Sequence, residues 1–264
     1  MTDPGSAKLL LAIDAGNTNV VIGVFQGKDL IADWRLATNP HTMPDEHAVI
    51  LGSLLAHGGL TMADLDAAII ASVVPKVTAN FREMLEKYGS AKVLVVGAGI
   101  ELGVRVGIDS PKEVGADRVV NALAAHRLYG GAALVVDLGT ATTFDAVSAD
   151  GVYLGGAIAP GLLTSVEALA RATARLPRVE LVRPDHALGR DTLTAMQSGI
   201  VLGHAAMVEG MLRRLLAEME PGTTVIATGG FCNVMADEVP LIKVVDKNLT
   251  LKGLQLMYDL NNRP

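Results

Sequence analysis

Two short strings, Asp14-Ala-Gly-Asn-Thr18 and Asp137-Leu-Gly-Thr-Ala141, each begin where an apolar run ends. The first follows Leu9-Leu10-Leu11-Ala12-Ile13 and the second follows Ala132-Ala133-Leu134-Val135-Val136, so each reads as a buried strand entering a tight, glycine-containing turn. A carboxylate sits at each strand end. Glycine lets the backbone approach a ligand closely, Asn and Thr side chains donate to phosphate oxygens, and an aspartate beside them can hold the Mg2+ that accompanies ATP. One Asp-x-Gly alone also describes an ordinary turn after a strand. Two copies, each followed by a further β-like segment over 20–25 and 142–147, point instead to a nucleotide held between two related halves.

At 264 residues, 50% of them hydrophobic, the chain can build one large domain or two lobes of ordinary size. Aromatics are only 3%, so Val, Leu, Ile and Ala must fill the core, and the 28 glycines suit a fold with many tight turns and backbone-lined ligand sites. A net charge of -6 argues against nucleic acid as a partner, because no basic stripe is present to displace counterions from a phosphate backbone. Cys232 is the single cysteine, which excludes an intrachain disulfide and a Cys-based zinc site and fits a cytoplasmic setting. The opening residues carry Asp3 and Lys8, the apolar stretch after them stops at Asp14, and no run reaches the roughly 18 apolar residues of a membrane helix, so a soluble protein with no membrane partner is expected.

The pattern predicts strands over 8–13, 19–25 and 30–36, a helix over 44–57 with Ala48, Leu51, Leu54 and Leu55 inward, and a strand over 66–73. Pro75 opens a helix through Phe81, Met84 and Leu85 that Gly89 closes, and a strand follows over 92–96. The plan then repeats: a helix over 115–128, strands over 132–137, 141–148 and 152–158, helices from Leu162 and from Thr192, and strands over 223–228 and 241–245. Hairpins followed by alternating helices and strands give an α/β chain with mixed sheets flanked by helices. Asp109-Ser110-Pro111 marks a lobe boundary, giving lobes over 1–112 and 113–264, each with one of the two strand-end turns. The helix from Thr192 places Leu193, Met196, Ile200, Met207, Met211 and Leu215 on one face. Its Gly199 and Gly203, one turn apart, suggest a close packing partner, either the sheet or another subunit.

Pro111-Lys-Glu-Val-Gly-Ala-Asp-Arg118 sets Asp117 and Arg118 at a helix start, where the dipole favours a free carboxylate. Such a pair can be a plain cap, yet a carboxylate there, shortly before the second strand-turn string, is placed to accept a proton from a substrate hydroxyl near the terminal phosphate. The strings at Asp14, Glu113–Arg118 and Asp137–Thr142, with Gly155-Gly-Ala-Ile-Ala-Pro-Gly161, Gly189–Gly199 and Thr228-Gly-Gly230, together resemble the type III pantothenate kinases over essentially the whole chain. The resemblance implies the actin-like ATPase fold of two ribonuclease-H-like lobes around a nucleotide cleft, a homodimer, and ATP-dependent phosphorylation of pantothenate towards coenzyme A.

Carried over position by position, the resemblance gives ATP binding to Asp14, Ala15, Gly16, Asn17, Thr18, Asn19, Val20 and Val21, with Asp14 organising Mg2+ or another divalent ion. Asp117 matches the proton acceptor, Gly115, Ala116, Asp117 and Arg118 line the pantothenate pocket, and Thr192 falls at a pantothenate contact. Asp137 matches a monovalent-cation site for K+ or NH4+, Thr140 a nucleotide contact, and Gly229 and Gly230 lie on the adenosine side. Many relatives carry a tyrosine where this chain has Ile108; an aliphatic side chain there still covers the pantothenate dimethyl group. These roles require folding to gather Asp14, Asp117 and Asp137 into one crevice.

The same scaffold also suits a phosphohydrolase acting on polyphosphate or a guanosine polyphosphate, against which Gly115–Arg118 and Thr192 count, or an accessory protein that binds nucleotide without turnover, against which the low basic charge and the intact Asp14, Asp117 and Asp137 count. His41, His47, His57, His126, His186 and His204 form no metal-ligand cluster beyond a loose His41/His47 spacing and read as surface or helix positions. Trp34 reads as a packed strand residue, Arg171, Arg175 and Arg178 as a solvated basic face, and Asp145 as a supporting position on the strand after the second turn.

Overall fold

A computed structural model describes residues 8–173 and 176–262; Asp3 and Arg175 lie outside the described residues. The chain divides into two compact units, and the first takes the chain up to Gly103, Lys112–Ala124 and the stretch from Thr250.

The first unit is built on β1 (Leu9–Ala15), whose run of apolar residues is buried on both faces. On one side β1 pairs antiparallel with β2 (Asn19–Gln26), which pairs with β3 (Asp29–Ala37). On the other side it pairs parallel with β4 (Ala67–Ser72), and β4 with β5 (Lys92–Val95), giving the order β3-β2-β1-β4-β5. Side chains alternate across a strand. Leu11, Ile13 and Ala15 therefore face a core shared with Leu51 and Leu55 of α1 (Pro44–His57) and with Val77, Phe81 and Leu85 of α2 (Pro75–Tyr88). Both helices begin with proline, whose missing N–H costs nothing in a first turn. The edge strand β3 reads alternately exposed and half-buried, and Trp34 packs on this core from it, as the sequence predicts.

Leu10, Ala12 and Asp14 point to the opposite face of the sheet. That face carries α8 (Leu249–Asn261): a Cβ on Gly23, the partner of Ala12, would come within 2.9 Å of Leu251. At Gly253, α8 presses against α3 (Ala116–Tyr129), where a Cβ would come within 2.4 Å of the Val120 carbonyl oxygen. Only glycine permits that approach. The sequence pattern did not indicate α8.

The second unit repeats the plan around β7 (Ala133–Leu138). It pairs antiparallel with β8 (Ala141–Val147), which pairs with β9 (Val152–Pro160), and pairs parallel with β10 (Thr224–Thr228), which pairs with β11 (Val244–Val245). A short β6 (Arg105–Val106), also absent from the sequence pattern, adds to β9 and completes the order β11-β10-β7-β8-β9-β6. Each sheet thus contains the ribonuclease-H-like arrangement of three antiparallel strands with two parallel strands added beside the first. Leu134, Val136 and Leu138 bury against α4 (Leu162–Ala172), α5 (Thr192–Gln197), α6 (Gly203–Leu216) and the short α7 (Cys232–Glu238).

The helix expected from Thr192 is present with an interruption. Residues Ser198–Leu202 between α5 and α6 form a π-helical segment that contains Gly199 and ends at Gly203. Met196 and Ile200 are buried as expected, whereas Leu193 is 49% exposed. A Cβ on either glycine would meet nothing of this chain within 4 Å. The sheet is therefore not the close partner that these glycines suggested.

Candidate active site

Asp14 stands at the end of β1, cross-strand from Val21 and beside Ala71 of β4. The turn after it is closed by the Gly16 N–H donating to the Asn19 carbonyl at 2.9 Å. The end of β3 braces it from outside: the Thr38 N–H donates to the Thr18 carbonyl at 2.9 Å, and the Thr38 hydroxyl to the Gly16 carbonyl at 2.7 Å. With its main-chain groups so occupied, the turn presents Asn17, Thr18 and Asn19 exposed, free of the apolar cover that buries Val20. Thr38 was not among the sequence-predicted residues, and only the β2–β3 register reveals it.

Asp117 is the second residue of α3, half-buried, with its Oδ1 accepting the Arg118 N–H at 2.9 Å. Helix-start N–H groups favour an anion, so the carboxylate is held by its own helix. Gly115 makes room for it, since a Cβ there would come within 2.5 Å of that oxygen. Asp117 lies one turn before Val120, the residue on which α8 rests, and α8 covers the sheet face towards which Asp14 points. The first unit therefore places Asp14, the turn after it and Gly115–Arg118 on the same side of its sheet.

In the second unit, Asp137 occupies the position equivalent to Asp14, at the end of the central strand and away from the helix-covered core, opposite Thr143 on β8 and Thr228 on β10. Gly229 closes on it: its φ is +88°, and a Cβ would fall 2.5 Å from Asp137 Oδ1 and 2.7 Å from the Leu138 nitrogen. Gly161 abuts the same turn, its N–H donating to the Thr140 carbonyl at 3.1 Å, and the Thr164 hydroxyl donates to that carbonyl at 2.6 Å. Asp137 and Thr140 of one turn, Gly161 and Gly229 thus come together from three separate stretches of chain, and Gly230 lies exposed beside them.

Thr192 opens α5, behind Asp191, whose Oδ1 caps the helix by accepting the Thr194 N–H at 2.8 Å. It borders a largely apolar groove of about 930 Å³ that Pro160, Thr164, Met196, Gly203 and His204 also line. Thr164 joins this groove to the Thr140 turn. His204 is buried and shares a hydrogen bond of 2.9 Å with the Thr142 hydroxyl, and desolvation lowers its pKa from the usual 6.5. Ile108 lies against Gly155, whose Cβ would come within 3.3 Å of it. Arg171 pairs with Glu167 at 3.0 Å in an exposed i,i+4 bridge and Arg178 is exposed, as a solvated face requires. No group of three or more His, Cys, Asp or Glu positioned to hold a metal occurs among the described residues.

The fold has solved counterparts. The ethanolamine utilization protein EutJ of Carboxydothermus hydrogenoformans superposes with a TM-score of 0.58 at 16% identity, covering 97% of this chain and 92% of its own. A ROK hexokinase of Thermus thermophilus gives 0.52 at 17% identity, covering 94% and 98%. These likenesses and the repeated strand order establish the actin-like ATPase fold. In sequence, a type III pantothenate kinase of Dehalococcoides mccartyi is 48% identical over 96% of this chain and 98% of its own length. One from Moorella thermoacetica is 47% identical over 96% and 100%, and one from Myxococcus xanthus 44% over 96% and 99%. The family model for type III pantothenate kinases matches residues 10–214, which include both strand-end aspartates, Asp117 and Thr192, and the chain belongs to that family.

Proposed function

We propose that this chain transfers the terminal phosphoryl group of ATP to the primary hydroxyl of pantothenate, yielding 4'-phosphopantothenate and ADP at the entry to coenzyme A biosynthesis. Family membership over nearly the whole chain is the observation that carries this reading. Phosphoryl transfer through a loose transition state asks mainly for positioning and charge neutralisation. Asn17, Thr18 and Asn19 donate to phosphate oxygens, Thr140 contacts the nucleotide, and Gly229 and Gly230 let backbone lie against its adenosine side. Gly115–Arg118 and Thr192 hold pantothenate. Asp117 orients the hydroxyl and takes its proton as the new P–O bond forms and the bond to the ADP oxygen breaks. A carboxylate suffices as base because the proton leaves late.

The donor atoms suit the ions that such a reaction uses. Asp14 is a single half-buried carboxylate, so a divalent ion such as Mg2+ would take its other ligands from phosphates and water. Asp137 offers one carboxylate beside the hydroxyl-bearing Thr228 on the neighbouring strand, oxygen atoms suited to a monovalent cation such as K+ or NH4+. When bound, these ions neutralise charge on the phosphates. The open Gly199/Gly203 face and the exposed Ile158 (66%), Leu163 (45%) and Leu193 (49%) of the second unit support a homodimer. No helix among the described residues is long and apolar enough to cross a membrane, which accords with work in the cytoplasm, and a net charge of -6 disfavours nucleic acid.

An acceptor screen with ATP, Mg2+ and KCl tests the reading. Formation of 4'-phosphopantothenate ahead of any other phosphorylated alcohol is expected. Preference for another alcohol, or phosphate release that pantothenate does not suppress, would overturn it.

A further inference from the structure

Beyond the turn at Asp137 lies a buried polar group that the proposed reaction leaves unused. Asp145, on β8, is fully buried (0%), accepts the Tyr153 hydroxyl on Oδ1 at 2.8 Å and the Thr143 hydroxyl on Oδ2 at 2.8 Å. Tyr153 is itself 1% exposed, so the carboxylate is sealed from water on that side. Thr143 stands directly opposite Asp137 in the β7–β8 register. Side chains so paired on antiparallel strands have Cβ atoms about 5 Å apart.

A threonine hydroxyl has one proton and two lone pairs. Here the proton goes to Asp145, so the oxygen turns lone pairs, not a donor, towards the neighbourhood of Asp137. The branched side chain is stiff about χ1, which preserves that choice. Gly156, opposite Asp145 on β9, adds no side chain to interfere. We propose that Thr143 is a further oxygen ligand of the monovalent cation at Asp137, and that Asp145 is the residue that positions it. The proposal rests on the reading of Asp137 as a cation site. Asp145 itself stands opposite Val135, diagonal to Asp137, so it reaches the Asp137 site through Thr143.

The test uses the full-length protein with KCl as probe, against choline chloride at matched ionic strength. Two readouts are taken, the rise in Tm that potassium gives without substrates and the potassium concentration that half-saturates the kinase. Thr143→Val and Asp145→Asn are expected to raise half-saturation by at least about tenfold, the scale of losses on removing groups that orient metal ligands, and to suppress the potassium-dependent rise in Tm. Thr143→Ser, which keeps the hydroxyl, is expected to restore both. Should Asp145→Asn fail to fold, the Thr143 pair decides alone. If Thr143→Val responds to potassium as the wild type does while Asp137→Asn does not, the proposal fails and the cation site at Asp137 stands. If the wild type shows no potassium response, or Asp137→Asn retains one, both fail together.

Discussion

Asp117 owes its position to a short piece of local chemistry: a glycine that leaves space, a helix start that favours negative charge, and an N–H one residue on that fixes one oxygen. None of these supplies ATP affinity, so binding and turnover separate. Asp117→Asn is expected to bind ATP as the wild type does and to lose about a hundredfold or more in kcat, the usual contribution of a general base; calorimetry and a 4'-phosphopantothenate assay measure the two. Gly229 illustrates the opposite case, a residue important because it lacks a side chain. Gly229→Ala forces a Cβ into Asp137 and Leu138 at a φ of +88°, and is expected to cost about 2 kcal/mol or more in urea unfolding, with weakened nucleotide binding. The sequence marked Gly229 as one of two glycines after a strand, and the resemblance put the pair on the adenosine side. What it presses against became visible only when β10 was laid beside β7.

Among the elements, the contact of α1 with α2 carries a pH dependence. His47 is buried, its ring centroid lies 4.1 Å from that of Phe81, and neither ring nitrogen has a hydrogen-bond partner. Desolvation therefore lowers its pKa from the usual 6.5. A histidine with a folded pKa below its unfolded value binds more protons when unfolded, so stability is full above pH 6.5 and falls as pH drops through the window beneath it. His204, buried in the second unit and shifted in the same direction, adds to this loss. Denaturant midpoints at pH 7.5 and pH 5.5 should show a fall in the wild type and a smaller fall in His47→Leu; an equal fall in both would remove His47 from the account. The sequence placed His47 on a helix without showing that it was inward. It likewise read one continuous helix from Thr192, because periodicity of apolar residues does not register the π-helical segment over Ser198–Leu202. It missed α8 because Gly253 weakens a helical pattern, and the reason for that glycine is the Val120 carbonyl of another helix.

At the scale of the whole molecule, two units carry the same strand order and the same strand-end carboxylate, and the second exposes Ile158, Leu163 and Leu193. Ile158→Glu and Gly203→Leu are each expected to convert a dimer to monomer in sedimentation velocity. Ile158 is 66% exposed, so its replacement should change chain stability by no more than about 0.5 kcal/mol, the range for surface substitutions. A dimer unchanged in both variants would place the interface elsewhere. The sequence alone determined the repeated strand-turn plan, most of the strands and helices that build it, and the aspartates at its strand ends. Those features are written in local periodicity, in proline and glycine positions, and in where apolar runs stop. The tertiary structure alone decided which hydroxyls and glycines stand against those aspartates. Thr38, Thr164 and Gly161 reach the turns from more distant segments and Thr143 faces Asp137 across the hairpin, through sheet register and helix packing, and register pairs residues by the geometry of two strands, which neither strand carries by itself.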